Sequence, residues 1–239
     1  MLLYIVRHGD PIYNPDSLTE LGKLQADAVA KRLAVHGIDE IYSSPLFRAQ
    51  FTAQPTAVLT KNEVQIEEWM SESLAWQDFT VELPDGFKTW IFQSGYHRKL
   101  LCSREISDLG MKWYEHEMFK GSSFVSGYKR ILDDSDAFLE KLGYVHDREN
   151  CVYIEKEKND KRIATFSHAG FGLSWIGTLL DIPLPISWAR FDVSHTGVTV
   201  VDFTADKNGI CVPTMLTLSN DSHLYREGLP TKYNNWEYI

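Results

Sequence analysis

A chain of 239 residues with 44% apolar composition is long enough to bury a full core, and at this length one large domain is expected over two. Its net charge of −9 excludes the broad basic surface that a nucleic-acid partner needs for counterion release, and no stretch approaches the roughly 18 uninterrupted apolar residues of a membrane span. The three cysteines, Cys102, Cys151 and Cys211, are odd in number and lack CxxC spacing, which argues against a zinc or redox site and for reduced thiols in the cytoplasm.

Leu2 to Val6 is a continuous apolar run broken at once by Arg7 and His8, the pattern of a strand buried on both faces of a mostly parallel sheet and not of a signal peptide. After the loop GDPIYNPDS, Thr19 is placed to cap a helix in which Leu21, Leu24 and Ala28 follow at helical spacing, and His36-Gly37 ends it. Ile38 to Tyr42 reads as a second strand. The loop SSP opens a second helix, with Pro45 in its first turn and Phe47 to Leu59 carrying it. A third strand is expected near Val64 to Ile66. Strands alternating with helices argue for an α/β layered fold whose ligand site lies at the carboxyl ends of the strands.

From about Gln77 to Phe124 this rhythm breaks, and the segment reads as an ordered insertion with a helix through LGMKWYEHEMF. Its aromatics Trp76, Phe79, Phe87, Trp90, Phe92 and Tyr96 fit either a lid over substrate or a small satellite core. Tyr128 to Leu142 has helical periodicity. CVYIEKEKNDKRIATFS is expected to form a hairpin turning at Lys158 to Asp160, whose second strand runs from Arg162 into Ser167 and His168. Ala169 to Leu180 is helical and DIPLP breaks it. Gly197 to Phe203 and Val212 to Leu218 read as closing strands, followed by a polar, aromatic tail.

Arg7-His8-Gly9 stands directly after the first strand. A histidine just beyond a buried strand tip has a fixed backbone beneath it and an open cavity above, and Gly9 would let the chain turn closely around a bound oxyanion. His8 alone fits equally a hydrogen-bonded structural histidine. RHG, Asn14 at the end of RHGDPIYN, LTELGKLQA from Leu18, SSPLFRAQFTA around Arg48 and FSHAG around His168 together resemble the histidine phosphatase superfamily, the phosphoglycerate mutase-like proteins, in its mutase and small-phosphatase branch. Ala169, where the acid phosphatase and phytase branch has aspartate after the second histidine, sets the chain apart from that branch.

The resemblance implies an α/β three-layer sandwich with a mostly parallel central sheet, one domain over residues 1–239, carrying an inserted lid-like segment at about 77–124. It makes His8 the phosphoryl acceptor, Arg7 and Arg48 the phosphate clamp, His168 a second pocket histidine and Asn14 a phosphate or substrate contact. A general acid is expected after the third strand, where Met70-Ser71-Glu72 fits the leucine-x-glutamate pattern; Glu67 and Glu68 stand near as alternatives. Two guanidinium forks match phosphoryl oxygens and stay charged, and two cations beside His8 should disfavour its protonation. The implied activity is metal-independent phosphomonoester hydrolysis through phosphohistidine, with no cofactor, on a small phosphorylated metabolite. A phosphoglycerate-type mutase and a catalytically inactive phosphate-binding module remain as alternatives, and a homodimer is left open. Asp10 and Pro11 depart from the family's glutamate or glutamine followed by serine or threonine, and Pro11 offers neither a hydroxyl nor an N–H to phosphate. His195, in FDVSHTGVT, is expected to pack at a strand end in preference to touching substrate.

Overall fold

In the computed structural model, which describes residues 1–233, β1 (Leu2–Arg7) alternates its side chains between two cores. Leu3 and Ile5 enter one, while Leu2, Tyr4 and Val6 enter the other, as period 2 demands of a strand covered on both faces. The hairpin β2 (Pro11–Tyr13) and β3 (Asp16–Leu18) leads to α1 (Glu20–His36). Thr19 caps that helix by accepting the Gly22 N–H, and Gly37 ends it at φ 77°, a backbone angle that favours glycine. β4 (Glu40–Ser43), α2 (Phe47–Thr60), β5 (Val64–Ile66) and α3 (Glu72–Asp78) follow.

Residues 77–124 hold the hairpin β6 (Thr80–Glu82) and β7 (Lys88–Trp90), then α4 (Gly95–Leu101) and α5 (Arg104–Ser107). The chain continues through α6 (Ser123–Lys141), β8 (Tyr144–Asp147), β9 (Val152–Glu155), β10 (Arg162–Ser167), α7 (Ala169–Leu179) and α8 (Leu184–Arg190). It closes with β11 (Val198–Asp202), β12 (Ile210–Cys211), β13 (Thr214–Asn220) and α9 (Ser222–Arg226).

The main sheet runs β13-β11-β1-β10-β4-β5. β1, β10, β4 and β5 pair in parallel, and β11 and β13 extend the sheet antiparallel on one side. Val29, Leu33, Ala53 and Ala57 of α1 and α2 pack against Val6, Ile41 and Phe166 on one face. On the other, α6, α7, α8 and residues 77–124 share one core that includes Trp113, Phe138 and Trp175. The α/β layered architecture with a mostly parallel sheet is therefore present. The pairing Arg7↔Ser167 ends β1 and β10 side by side, so His8 and His168 leave neighbouring strand tips.

Three expectations change. The hairpin across Lys158 to Asp160 does not form: β9 pairs with β8 and β12 in a separate three-stranded sheet, while β10 enters the main sheet between β1 and β4. Ile163 to Ser167 are all buried, and a strand buried on both faces belongs at a sheet centre, not in a hairpin with the half-exposed β9. The stretch LGMKWYEHEMF forms a 3-10 turn, Gly110–Glu115, with Trp113 turned inward. The following helix opens at Ser123, earlier than Tyr128. Among the described residues no helix is long and apolar enough to cross a membrane.

Candidate active site

His8 is buried at the tip of β1 and lines a cavity of about 1120 Å³. Its Nδ1 lies 2.7 Å from the Gly9 carbonyl. A carbonyl can only accept, so the ring proton sits on Nδ1 and Nε2 keeps its lone pair. Burial, and then the Arg7 and Arg48 charges, hold the ring well below the ordinary histidine pKa. Desolvation is thus the larger cause of neutrality, with the two cations second. Gly9 serves a different close approach from the one expected of it: a Cβ there would stand 2.6 Å from the Gly22 carbonyl oxygen, so it admits the start of α1 beneath the loop. The Gly9 N–H is held by Thr52 Oγ1 at 3.0 Å.

Arg7 and Arg48 are both buried, and each is held through Nη1. Arg7 Nη1 donates to the Val193 carbonyl at 2.6 Å and to the Tyr233 carbonyl; Arg48 Nη1 donates to Asp16 Oδ1 at 2.7 Å, and its guanidinium lies over the Tyr13 ring. Each has a buried Nε without a hydrogen-bond partner among the described residues. His168 Nδ1 is in the same condition, while its Nε2 meets Ser44 Oγ at 2.7 Å. The His168 ring lies 5.1 Å from that of His8, centroid to centroid. Both ring nitrogens of His195 are unpaired among the described residues as well; buried polar groups are normally satisfied, so these five atoms around His8 mark a place for a polar ligand.

Glu72 opens α3 on the cavity wall. Its two oxygens accept from Gly170 N–H at 3.0 Å and Phe171 N–H at 2.8 Å, in the first turn of α7. Burial raises its pKa, against those two N–H groups and the two arginines, which lower it. Glu67 and Glu68 are elsewhere: Glu67 accepts from Lys141 and from Trp69, and Glu68 is exposed.

Asn14 does not reach the cavity. It occupies the exposed turn between β2 and β3, and its neighbours Tyr13 and Asp16 line the cavity in its place. A two-residue turn at the tip of a hairpin points its first residue to solvent, whereas the paired Tyr13 and Asp16 face Arg48. His195 is fully buried, its ring 5.7 Å from that of His8, and like His168 it does not line the cavity; neither of its ring nitrogens has a hydrogen-bond partner among the described residues. Asp10 is also buried away from the cavity. Its Oδ1 lies 2.7 Å from Lys232 Nζ and its Oδ2 accepts from Thr19 Oγ1 at 2.8 Å. Asp16 and Lys232 belong to no motif, and Ser44 stands in SSPLFRAQFTA without an assigned role; only the fold shows what they hold.

Residues between Leu83 and Arg98 form the outer wall. Trp76, Phe87, Trp90 and Phe92 line the cavity, whereas Phe79 is in the core and Tyr96 is exposed. Trp90 does both, lining the cavity and belonging to the core. A Cβ on Gly170 would meet the Trp90 ring at 2.5 Å, so this glycine lets the wall close against the turn that holds Glu72. Lys88 and Arg98 also line the wall.

The family model of the histidine phosphatase superfamily (branch 1) matches residues 3–93. Phosphoserine phosphatase 1 of Hydrogenobacter thermophilus is 30% identical over 168 residues, which are 64% of this chain and 69% of that protein. Among solved structures, a phosphoserine phosphatase of Entamoeba histolytica in complex with 3-phosphoglyceric acid aligns over 93% of this chain and 98% of its own, with TM-score 0.58 and 23% identity. A putative alpha-ribazole-5'-P phosphatase of Escherichia coli aligns over 92% and 97%, with TM-score 0.57 and 20% identity. A mycobacterial glucosyl-3-phosphoglycerate phosphatase in complex with VO3 aligns over 91% and 98%, with TM-score 0.55 and 18% identity.

Proposed function

We propose that this chain, a phosphomonoesterase that belongs to the histidine phosphatase superfamily, moves the phosphoryl group of its substrate onto Nε2 of His8 and from there to water. The observation that carries the reading is a neutral His8 beside Arg7, Arg48 and His168, with Arg7 Nε, Arg48 Nε and His168 Nδ1 buried and unpaired and with Nδ1 the bonded His8 ring nitrogen among the described residues.

The His8 Nε2 lone pair attacks phosphorus as the ester P–O bond breaks. The two guanidinium groups and His168 take the charge on the non-bridging oxygens. The ring becomes cationic on phosphorylation, and the Nδ1–H bond to the Gly9 carbonyl strengthens as it does. Glu72, protonated, gives its proton to the leaving oxygen; then, as the carboxylate, it takes a proton from the water whose oxygen attacks phosphorus as the P–Nε2 bond breaks and its electron pair returns to His8. Its raised pKa supports the first role and its place on the cavity wall the second. The arginines supply the charge stabilisation that a metal ion gives elsewhere, so no metal enters the scheme.

The substrate we propose is a phosphorylated metabolite that also bears a carboxylate, with phosphoserine as the first compound to try. Support comes from the phosphoserine phosphatase relative and from Lys88 and Arg98 on the outer wall, neither of which has an ion pair among the described residues. A cavity of about 1120 Å³ also admits substrates much larger than phosphoserine. The free cysteines, with Cys102 and Cys151 exposed, fit a reducing cytoplasm.

Phosphate release from phosphoserine, phosphoglycerates, sugar phosphates and nucleotides, run with a chelator present, tests the reading. Carboxylate-bearing esters should lead the series, and activity should persist in the chelator. Bisphosphoglycerate-primed interconversion of phosphoglycerates faster than phosphate release would make the chain a mutase. No acid-labile label on His8 after rapid quench would remove the phosphohistidine.

A further inference from the structure

Arg7 is oriented by two main-chain carbonyls, and one of them belongs to the C-terminal tail. With two hydrogens on Nη1 and two acceptors, Val193 and Tyr233, that nitrogen is fully occupied, and the edge carrying the unpaired Nε is left for a ligand. The residue before Tyr233 is Lys232, which is 7% exposed, an uncommon state for lysine unless it is paired. Its Nζ lies 2.7 Å from Asp10 Oδ1, and its own carbonyl accepts the His195 N–H at 2.8 Å. Asp10 is fixed in turn, its Oδ2 by Thr19 and its N–H by Gln25 Oε1 at 2.8 Å. Side chain and main chain of Lys232 are thus tied to both segments that flank His8: the loop after β1 and the stretch leading into β11.

Taking Arg7 as a phosphate ligand, we propose that Lys232 and Asp10 are positioning residues for catalysis: their buried ion pair seats the tail so that the Tyr233 carbonyl holds Arg7 in its phosphate-binding orientation. Asp10, the departure from the family's usual residue after RHG, then has a specific task. It is the counter-ion of the tail and not a phosphate ligand. The clamp is complete only when residues far apart in sequence, at both ends of the chain, have met.

A purely structural staple would change thermal stability without changing how the folded protein binds phosphate. The test therefore measures inorganic phosphate inhibition and single-turnover labelling of His8 in the full-length protein, for Lys232→Met, Lys232→Arg, Arg7→Ala and the double variant Arg7→Ala/Lys232→Met. Lys232→Met should weaken phosphate inhibition and slow labelling by about 10- to 100-fold, the worth of one or two charge-assisted hydrogen bonds. Lys232→Arg should recover most of that. In the Arg7→Ala background Lys232→Met should add nothing, because the group it positions is gone.

Unchanged phosphate inhibition in folded Lys232→Met, or effects that add in the double variant, would overturn the proposal. Removing one partner of a buried pair leaves a stranded charge; if Lys232→Met does not fold, Asp10→Asn/Lys232→Met removes both charges and is judged by the same criteria. If that variant does not fold either, the pair is a structural staple and the proposal fails. Normal phosphate inhibition in Arg7→Ala would instead refute the clamp itself, a result separate from any of these.

Discussion

The floor of the cavity and its outer wall are built by opposite means. At the floor, His8 and His168 stand on adjacent tips of β1 and β10, two strands paired in parallel along their whole length at the centre of the sheet. Arg48 and Glu72 come from helices that open beside those tips. The outer wall is made of short pieces, three-residue strands and a seven-residue helix, and it carries exposed side chains such as Phe87, Lys88 and Arg98. A rigid scaffold fixes reacting atoms, while short loop-borne elements tolerate change and suit selection among substrates. Substitutions on the floor should therefore act on every substrate, and those on the wall on some.

The largest effect belongs to His8→Ala. Turnover should disappear on all phosphomonoesters while the thermal melt and circular dichroism keep their native form, because the side chain borders a cavity and not the packed core. Unfolding together with inactivation would return His8 to a structural role and dissolve the distinction between floor and core. Next comes Glu72→Gln. An alkyl phosphate needs a proton on its leaving oxygen, so phosphorylation of His8 should slow by about 10²- to 10⁴-fold, whereas an aryl phosphate such as nitrophenyl phosphate should lose far less. Labelling of His8 in a single turnover separates the two. Because the acid must be protonated, alkyl-ester phosphorylation in the wild type should decline as pH rises through the raised Glu72 pKa; equal losses on both ester types would take Glu72 out of the acid role.

Arg98→Ala is the corresponding test of the wall. Here kcat/KM for carboxylate-bearing esters should fall by roughly 10-fold, the value of one ionic hydrogen bond at a partly exposed site, with little change for an aryl phosphate that has no carboxylate. A uniform fall would mean that the wall is as much a part of the chemistry as the floor.

The same contrast explains what the sequence made legible. The floor was readable because its pieces follow strong local signals: the apolar run into Arg7-His8, the cap at Thr19, SSP before Arg48, and a buried run into His168. The alternating strands and helices that carry them could be placed to within a few residues. What failed was long-range pairing. Nothing local distinguishes β9, whose partners are β8 and β12, from a hairpin partner of β10, since sheet neighbours are chosen by burial across the whole fold. The hairpin register that pairs Tyr13 with Asp16 beside Arg48 and leaves Asn14 in the exposed turn is likewise a tertiary fact. The roles of Ser44, Asp16 and Lys232 are of the same kind, because each depends on a partner distant in sequence.

The smallest effect concerns a buried polar cluster that shares nothing with the cavity. His146 has its side chain shut off from solvent, with Nδ1 2.9 Å from Asp136 and Nε2 3.2 Å from Asp181, and its ring is stacked on Tyr153. Burial alone would lower its pKa, but the hydrogen bonds and charges of the two aspartates outweigh burial and raise it to about 9. The unfolded value is about 6.5. A folded pKa above the unfolded one means that the stabilisation is complete below about 6.5 and is lost as pH rises through about 9. His146→Gln should therefore lower Tm near pH 6 by a few degrees, the equivalent of about 1 kcal/mol in a chain of this length. The gap to the wild type should narrow as pH approaches 10, with kcat/KM for every ester unaltered at all points. A change in kcat/KM would join this cluster to the site, and a gap that widened with pH would show that His146 is held neutral and that the aspartates do not share its proton.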